Sequence, residues 1–188
     1  MSYFVTGATG FIGRHLIERL LARKGAIINV LVRRDSQKKL DAMIALHGWD
    51  ARRIVPVVGD LAKPRLGLTA AQVKALTGKV KHFFHLAAIY DIKADAASQQ
   101  EVNVEGTRRL LRMLQREFDQ VEQFVFASTM LVHAPSQPGQ KINEDWPLEP
   151  KWQYPQSKVT TEQLIRDGHP SVRSVLLRIA GVYDDMGQ

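Results

Sequence analysis

Residues 6–13 read Thr6-Gly7-Ala8-Thr9-Gly10-Phe11-Ile12-Gly13, and they constrain the fold more than any other segment. They follow a short apolar run, Tyr3-Phe4-Val5. They precede a stretch of helical periodicity from Arg14 to Arg23, where Leu16, Ile17 and Leu20 share one side. The glycine spacing is G-x-x-G-x-x-G. In a strand–turn–helix unit Gly7 makes the tight turn, Gly10 lets backbone N–H groups approach an anion, and Gly13 lets the helix pack close to the sheet. The helix start then offers unpaired N–H groups and a positive dipole end. The pattern predicts a pyrophosphate site, with Gly7, Thr9, Gly10, Phe11, Ile12 and Gly13 around a dinucleotide.

The rest of the chain alternates as such a unit requires. Strands are expected at 26–32, 53–58, 82–86, 123–127 and 172–179, each rich in β-branched or aromatic residues. Helices are expected at 36–46, 69–76, 98–118 and 157–167, with Gly48 ending the first and Thr69 capping the second. The buried stripe of the third helix is Val104, Thr107, Leu110, Leu111, Leu114 and Phe118. Pro56 points to an edge strand, because it cannot donate to a ladder. Residues 135–150 hold four prolines and read as an irregular surface loop. Strands joined by helices imply an α/β fold: a doubly wound parallel sheet of the Rossmann kind, strand order 3-2-1-4-5-6, with ligand at the switch point beside the first strand. At 188 residues, 45% apolar and 24% charged, one domain over 1–188 is expected. The sequence stops at Asp184-Asp185-Met186-Gly187-Gln188, just after a strand. The expectation is therefore a domain truncated before a C-terminal substrate-binding lobe.

No run of 18 apolar residues exists, so no integral membrane segment is expected. Without cysteine, disulfides and thiolate metal sites are excluded, and no metal site is expected. No basic leader precedes the first strand, which makes the cytoplasm the expected compartment. The 26 Lys and Arg outnumber the 19 Asp and Glu, giving +7, which suits an anionic ligand. Arg108, Arg109, Arg112 and Arg116 read as a solvated helix face, so nucleic acid is not an expected partner.

The end of the second strand discriminates between cofactors. An acidic residue there bonds a ribose 2′-OH, whereas an arginine pairs with a 2′-phosphate. This sequence has Val32-Arg33-Arg34. NADP (as NADPH) is therefore expected rather than NAD, with Arg33 the principal contact and Arg34 and Arg14 as helpers. After the third strand, Asp60 can accept from an adenine amino group and Leu61 can flank the ring. Ala87 and Ala88 end the fourth strand and leave room for the cofactor backbone; His82 and His85 read as packing residues.

Tyr154 and Lys158 stand at i and i+4 on one helix face. A phenol with a pKa near 10 is a poor base at pH 7, and a nearby ammonium is expected to lower that value. Such a phenol can give a proton to a carbonyl oxygen as hydride reaches the carbon. Ser128 and Thr129, at the end of the fifth strand, carry hydroxyls that can hold the substrate oxygen.

Taken in order, the glycine turn, Asp60-Leu61, His85-Leu86-Ala87-Ala88, Asn103-Val104-Glu105-Gly106-Thr107, Phe126-Ala127-Ser128-Thr129, Tyr154-Pro155-Gln156-Ser157-Lys158 and Leu177-Arg178-Ile179-Ala180-Gly181-Val182-Tyr183 cover almost the whole chain. This set resembles the extended short-chain dehydrogenase/reductases. The resemblance implies that Tyr154 is the acid/base, that Lys158 also binds the nicotinamide ribose, and that Thr129 is the catalytic hydroxyl with Ser128 as its possible substitute. It also implies that Asn103 ties strands together. Met130 and Leu131 stand where the sugar-nucleotide dehydratases carry acidic residues, and His133 replaces the tyrosine of the epimerases' Val-Tyr-Gly. Leu31-Val32-Arg33, Gly59-Asp60-Leu61 and His85-Leu86-Ala87-Ala88-Ile89-Tyr90-Asp91 are similar to the bacterial fatty acyl-CoA and thioester reductases. The expected activity is NADPH-dependent hydride transfer to a small-molecule carbonyl or acyl-thioester substrate. The alternatives are a nucleotide-sugar epimerase or hydroxysteroid-type dehydrogenase, and a non-catalytic NADP-sensing module. A homodimer and a place in a longer multidomain chain are compatible with this reading.

Overall fold

The computed structural model describes residues 1–90, 94–118, 120–168 and 172–182. Asp91, Tyr183 and the tail from 184 to 188, all used in the sequence reading, lie outside them. Six parallel strands form one sheet: β1 (Ser2–Thr6), β2 (Ile27–Val32), β3 (Ile54–Val58), β4 (Val80–His85), β5 (Gln123–Thr129) and β6 (Arg173–Ile179). Their order is β3-β2-β1-β4-β5-β6, as the alternation predicts. The first strand therefore lies between β2 and β4, where crossovers leave in opposite directions and open a crevice above the strand ends. β3 is an edge strand, the position Pro56 requires.

Alternation along β1 feeds two apolar layers. Phe4 points into one, with Phe83, Leu110, Leu114 and Phe124. Tyr3 and Val5 point into the other, with Ile17, Ile28, Val30 and Leu40. The helices are α1 (Phe11–Leu21), α2 (Gln37–His47), α3 (Ala70–Leu76), α4 (Ala96–Gln99), α5 (Gly106–Glu117) and α6 (Gln153–Gly168). Gly48 ends α2 in the left-handed conformation, and Thr69 caps α3 in a reciprocal capping box with Gln72. Among the described residues no helix is long and apolar enough to cross a membrane.

Two boundaries differ from the sequence expectation in ways that matter for the site. The helix expected at 98–118 is interrupted by a π-helical stretch, Gln100–Glu105, between α4 and α5. Its cause lies in Asn103, whose amide accepts from the Ile89 N–H at 2.8 Å and donates to the Ile89 carbonyl at 3.1 Å and to Ser157 Oγ at 3.1 Å. Those tertiary bonds widen the helix locally while the apolar periodicity runs on through it. Helix α6 starts at Gln153, four residues before the expected start at 157, so Tyr154 lies in its first turn. Residues 135–150 are irregular, as expected, but they are pinned by a bridge from His133 to Leu148 and by Trp146 Nε1 donating to the Ala134 carbonyl at 3.0 Å.

Candidate active site

The glycine turn adopts a shape that side chains would fill. Gly7 has φ +74, and a Cβ there would meet the Ala87 backbone nitrogen at 2.6 Å. At Gly13 a Cβ would fall 2.3 Å from the Gly7 carbonyl oxygen. Gly10 is the N-cap of α1 and brings no capping side chain, so the N–H groups of Phe11, Ile12 and Gly13 have no acceptor within the helix. The loop and the helix start thus form a cradle suited to the diphosphate of a dinucleotide.

A groove of about 360 Å³ runs from this cradle over the strand ends. It is lined by Gly7, Thr9, Gly10, Arg33, Asp60, Leu61, Ala87 and Ala88, eight of the residues expected at the cofactor. Phe11, Ile12 and Gly13, also expected there, form the first residues of α1 and are not among the groove's lining residues. Arg34 lies in an adjoining polar recess with Arg33 and Lys63. Lys63 is a cation the sequence reading did not single out. The Arg33 side chain is 64% exposed and pairs loosely with Asp35 at 3.6 Å, a contact weak enough to yield to a phosphate. Asp60 serves its own turn, with Oδ1 accepting from the Ala62 N–H at 2.9 Å, while Leu61 is buried beneath the groove.

His85 is a packing residue, as expected, and its bonds fix the tautomer. Thr107 Oγ1 donates to the Asn103 carbonyl at 2.6 Å, so it accepts from His85 Nε2 at 2.8 Å. His85 Nδ1 then accepts from Thr6 Oγ1 at 2.7 Å, and Thr6 Oγ1 accepts from the Ala87 N–H at 3.2 Å. Complete burial, with a smaller contribution from the Lys158 charge, pushes the imidazole down to about 3, so it stays neutral. The chain of bonds ties β1, β4 and α5 together under the groove.

The acid/base candidates come from α6 and the end of β5. Lys158 is buried, and its Nζ donates to the Ala127 carbonyl at 2.7 Å. The ammonium lies 4.6 Å from the Phe126 ring centroid and 5.6 Å from that of Tyr154. The half-buried Tyr154 meets Tyr90 edge to face, with ring centroids 4.7 Å apart. Thr129 ends β5, and its Oγ1 accepts from the Leu131 N–H at 3.3 Å, leaving its own proton free to donate.

Two expectations are corrected here. The ammonium was expected to lower the Tyr154 phenol. Instead burial, with a smaller contribution from Tyr90, pushes the phenol up to about 12. Burial also pushes Lys158 itself down to about 7, partly opposed by Glu162. Desolvation outweighs the pairwise attraction at both groups. Tyr154 thus stays protonated well above neutral pH. The second correction concerns Ser128, which was expected to be available to a substrate oxygen. Its hydroxyl faces α6 and donates to Glu162 Oε1 at 2.5 Å. Neither Glu162 nor Arg178 was singled out from sequence as a site residue, although Glu162 stands one helical turn after Lys158 and shares its face.

The comparisons with known proteins agree with this fold. Residues 5–186 match the family model described as male sterility protein. The chain is 34% identical to the isonitrile lipopeptide synthase of Streptomyces coeruleorubidus, over 94% of this chain and 13% of that protein. It is 28% identical over 152 residues to the putative fatty acyl-CoA reductase CG8306 of Drosophila melanogaster, covering 70% of this chain and 28% of that one. The terminal R domain from the myxalamid PKS-NRPS biosynthetic pathway superposes with a TM-score of 0.82 at 31% identity, over 97% of this chain and 49% of that one. The chain thus spans about half the length of that solved relative and a smaller part of the others. With a nucleotide cradle, a 3-2-1-4-5-6 sheet and these relatives, the chain belongs to the male sterility protein family of NAD(P)-binding extended short-chain dehydrogenase/reductases.

Proposed function

We propose that this chain binds NADPH and reduces an acyl thioester or aldehyde, with Tyr154 as proton donor. The observation that carries the reading is the buried Lys158, fixed on the Ala127 carbonyl between the Phe126 and Tyr154 rings. A buried ammonium is costly and is retained where its charge is used. When bound, NADPH supplies the hydride. Thr129 donates a hydrogen bond from its hydroxyl to the substrate oxygen and holds it beside Tyr154. Tyr154, a phenol protonated at neutral pH and pushed further up by burial, gives its proton as negative charge grows on that oxygen. Lys158 supplies positive charge beneath the ring and stabilises the phenolate left behind. In the family resemblance it also bonds the nicotinamide ribose.

Arg33 and the adjoining recess with Arg34 and Lys63 support NADPH over NADH, because they gather cations where a 2′-phosphate would lie. Likeness to a putative fatty acyl-CoA reductase and to a lipopeptide synthase supports an acyl thioester as substrate. The test is a titration of the full-length protein with NADPH and NADH by nicotinamide fluorescence, beside turnover of octanoyl-CoA. NADPH should bind about tenfold more tightly, and Arg33→Ala should erase that preference while leaving NADH unaffected. Equal affinities in the wild type would refute the NADPH assignment.

A further inference from the structure

Behind Lys158 lies a buried polar hub that the reduction itself does not use. Glu162 is 2% exposed, one turn further along α6. Its carboxylate accepts from Ser128 Oγ at 2.5 Å, from Arg178 Nη2 at 2.8 Å and from Arg178 Nε at 3.1 Å. The strand register explains the convergence. Ser128 of β5 and Arg178 of β6 are direct neighbours, and both side chains reach α6 from the same face of the sheet. Arg178 Nη1 continues outward to His133 Nε2 at 2.9 Å and donates to the Glu144 carbonyl at 3.1 Å, in the loop that leads to Tyr154.

We propose that Glu162 is a positioning residue: by joining Ser128 and Arg178 one turn beyond Lys158, it holds the helix carrying Tyr154 and Lys158 in register with the strand end carrying Thr129. Two successive turns of α6 grip two successive residues of β5. Lys158 takes the Ala127 carbonyl and Glu162 takes the Ser128 hydroxyl, and the next residue is Thr129. A slip of the helix along the strand would break both bonds.

The hub also acts electrostatically on Lys158. Facing that ammonium are Tyr154 and Glu162 from α6, neutral His85 from β4, and Arg178 from β6 behind Glu162; Arg166 stands 4.0 Å from the carboxylate. Burial raises the Glu162 carboxyl, but the bonds from Arg178 and Ser128 outweigh it and keep the group ionised. Its negative charge opposes the desolvation of Lys158. Without it the lysine would lose its proton at lower pH.

The inference rests on the proposed function only for its kinetic arm. The first measurement is the titration of Lys158 in the full-length protein, by NMR of isotope-labelled lysine, in the wild type and Glu162→Gln. A double variant, Glu162→Met with Arg178→Met, removes both charges and guards against a fold lost to one unpaired ion. The midpoint of Lys158 should fall by about one pH unit in Glu162→Gln, and by less in the double variant, which removes the Arg178 charge as well. An unmoved midpoint overturns the proposal. The second measurement is turnover of octanal with NADPH. Ser128→Ala should lower kcat about tenfold with KM nearly unchanged, and Ser128→Thr, which keeps the hydroxyl, should restore it. Wild-type kcat in Ser128→Ala overturns the proposal. Full turnover in Tyr154→Phe sinks the functional reading instead and leaves the lysine titration to decide the role of Glu162.

Discussion

Replacing Lys158 with methionine should make the fold more resistant to unfolding at neutral pH relative to its behaviour in base, while abolishing turnover. Burial holds the Lys158 ammonium at about 7 in the folded chain, against 10.5 when exposed. Between pH 7 and pH 9 the unfolded chain keeps this proton and the folded chain releases it. The unfolded state then binds more protons, so stability rises with pH across that window. A group half titrated at pH 7 adds about 2 kcal/mol by pH 9, at about 1.4 kcal/mol per pH unit. Tyr154, held near 12, stays protonated throughout and adds nothing. Lys158→Met also leaves the Ala127 carbonyl without its partner, at a cost of about 1–3 kcal/mol, but that cost is the same at both pH values. The quantity to compare is therefore the gain from pH 7 to pH 9. Urea unfolding at the two pH values should give a gain about 2 kcal/mol larger in the wild type than in Lys158→Met, or about 4–8 °C in a thermal scan. Equal gains would mean that Lys158 is not desolvated, and the reasoning about its site would fail.

Other perturbations follow from the same geometry. Gly13→Ala places a Cβ 2.3 Å from the Gly7 carbonyl oxygen, backbone that cannot turn aside; NADPH affinity should drop more than tenfold by fluorescence titration. Thr6→Val removes the donor to His85 Nδ1 and the acceptor of the Ala87 N–H, so urea unfolding should show a loss of about 1–3 kcal/mol. Arg178→Met alone strands the buried Glu162 carboxylate and should cost about 3–5 kcal/mol, more than the double replacement with Glu162→Met, measured in the same way.

The sheet order and the shape of the glycine turn were legible in the sequence because both depend on local rules. Three glycines between an apolar run and a helix leave one economical backbone path, and alternation leaves one handedness for the crossovers. The edge place of β3 followed from Pro56 as well as from the expected strand order. What stayed hidden depends on burial and on strand register. The phenol of Tyr154 moves up rather than down because desolvation dominates, and a sequence does not show how deep a side chain lies. Ser128 is drawn to Glu162 because its register partner on β6 is Arg178, a pairing no spacing within one segment reveals. The widened helix at Asn103 escaped notice for a related reason: Val104 and Thr107 keep the apolar period, while distant Ile89 and Ser157 set the backbone.

The chemistry is tested most directly by following an isotope. Full-length protein is incubated with octanal and NADPH carrying deuterium at the transferable position, and the octanol is analysed by mass spectrometry. One deuterium should appear on the alcohol carbon with the wild type, and none with Tyr154→Phe, although that variant should bind NADPH as tightly as the wild type. Deuterium transfer at the wild-type rate by Tyr154→Phe, or no transfer by the wild type, would contradict the assignment of this site as a Tyr/Lys reductase.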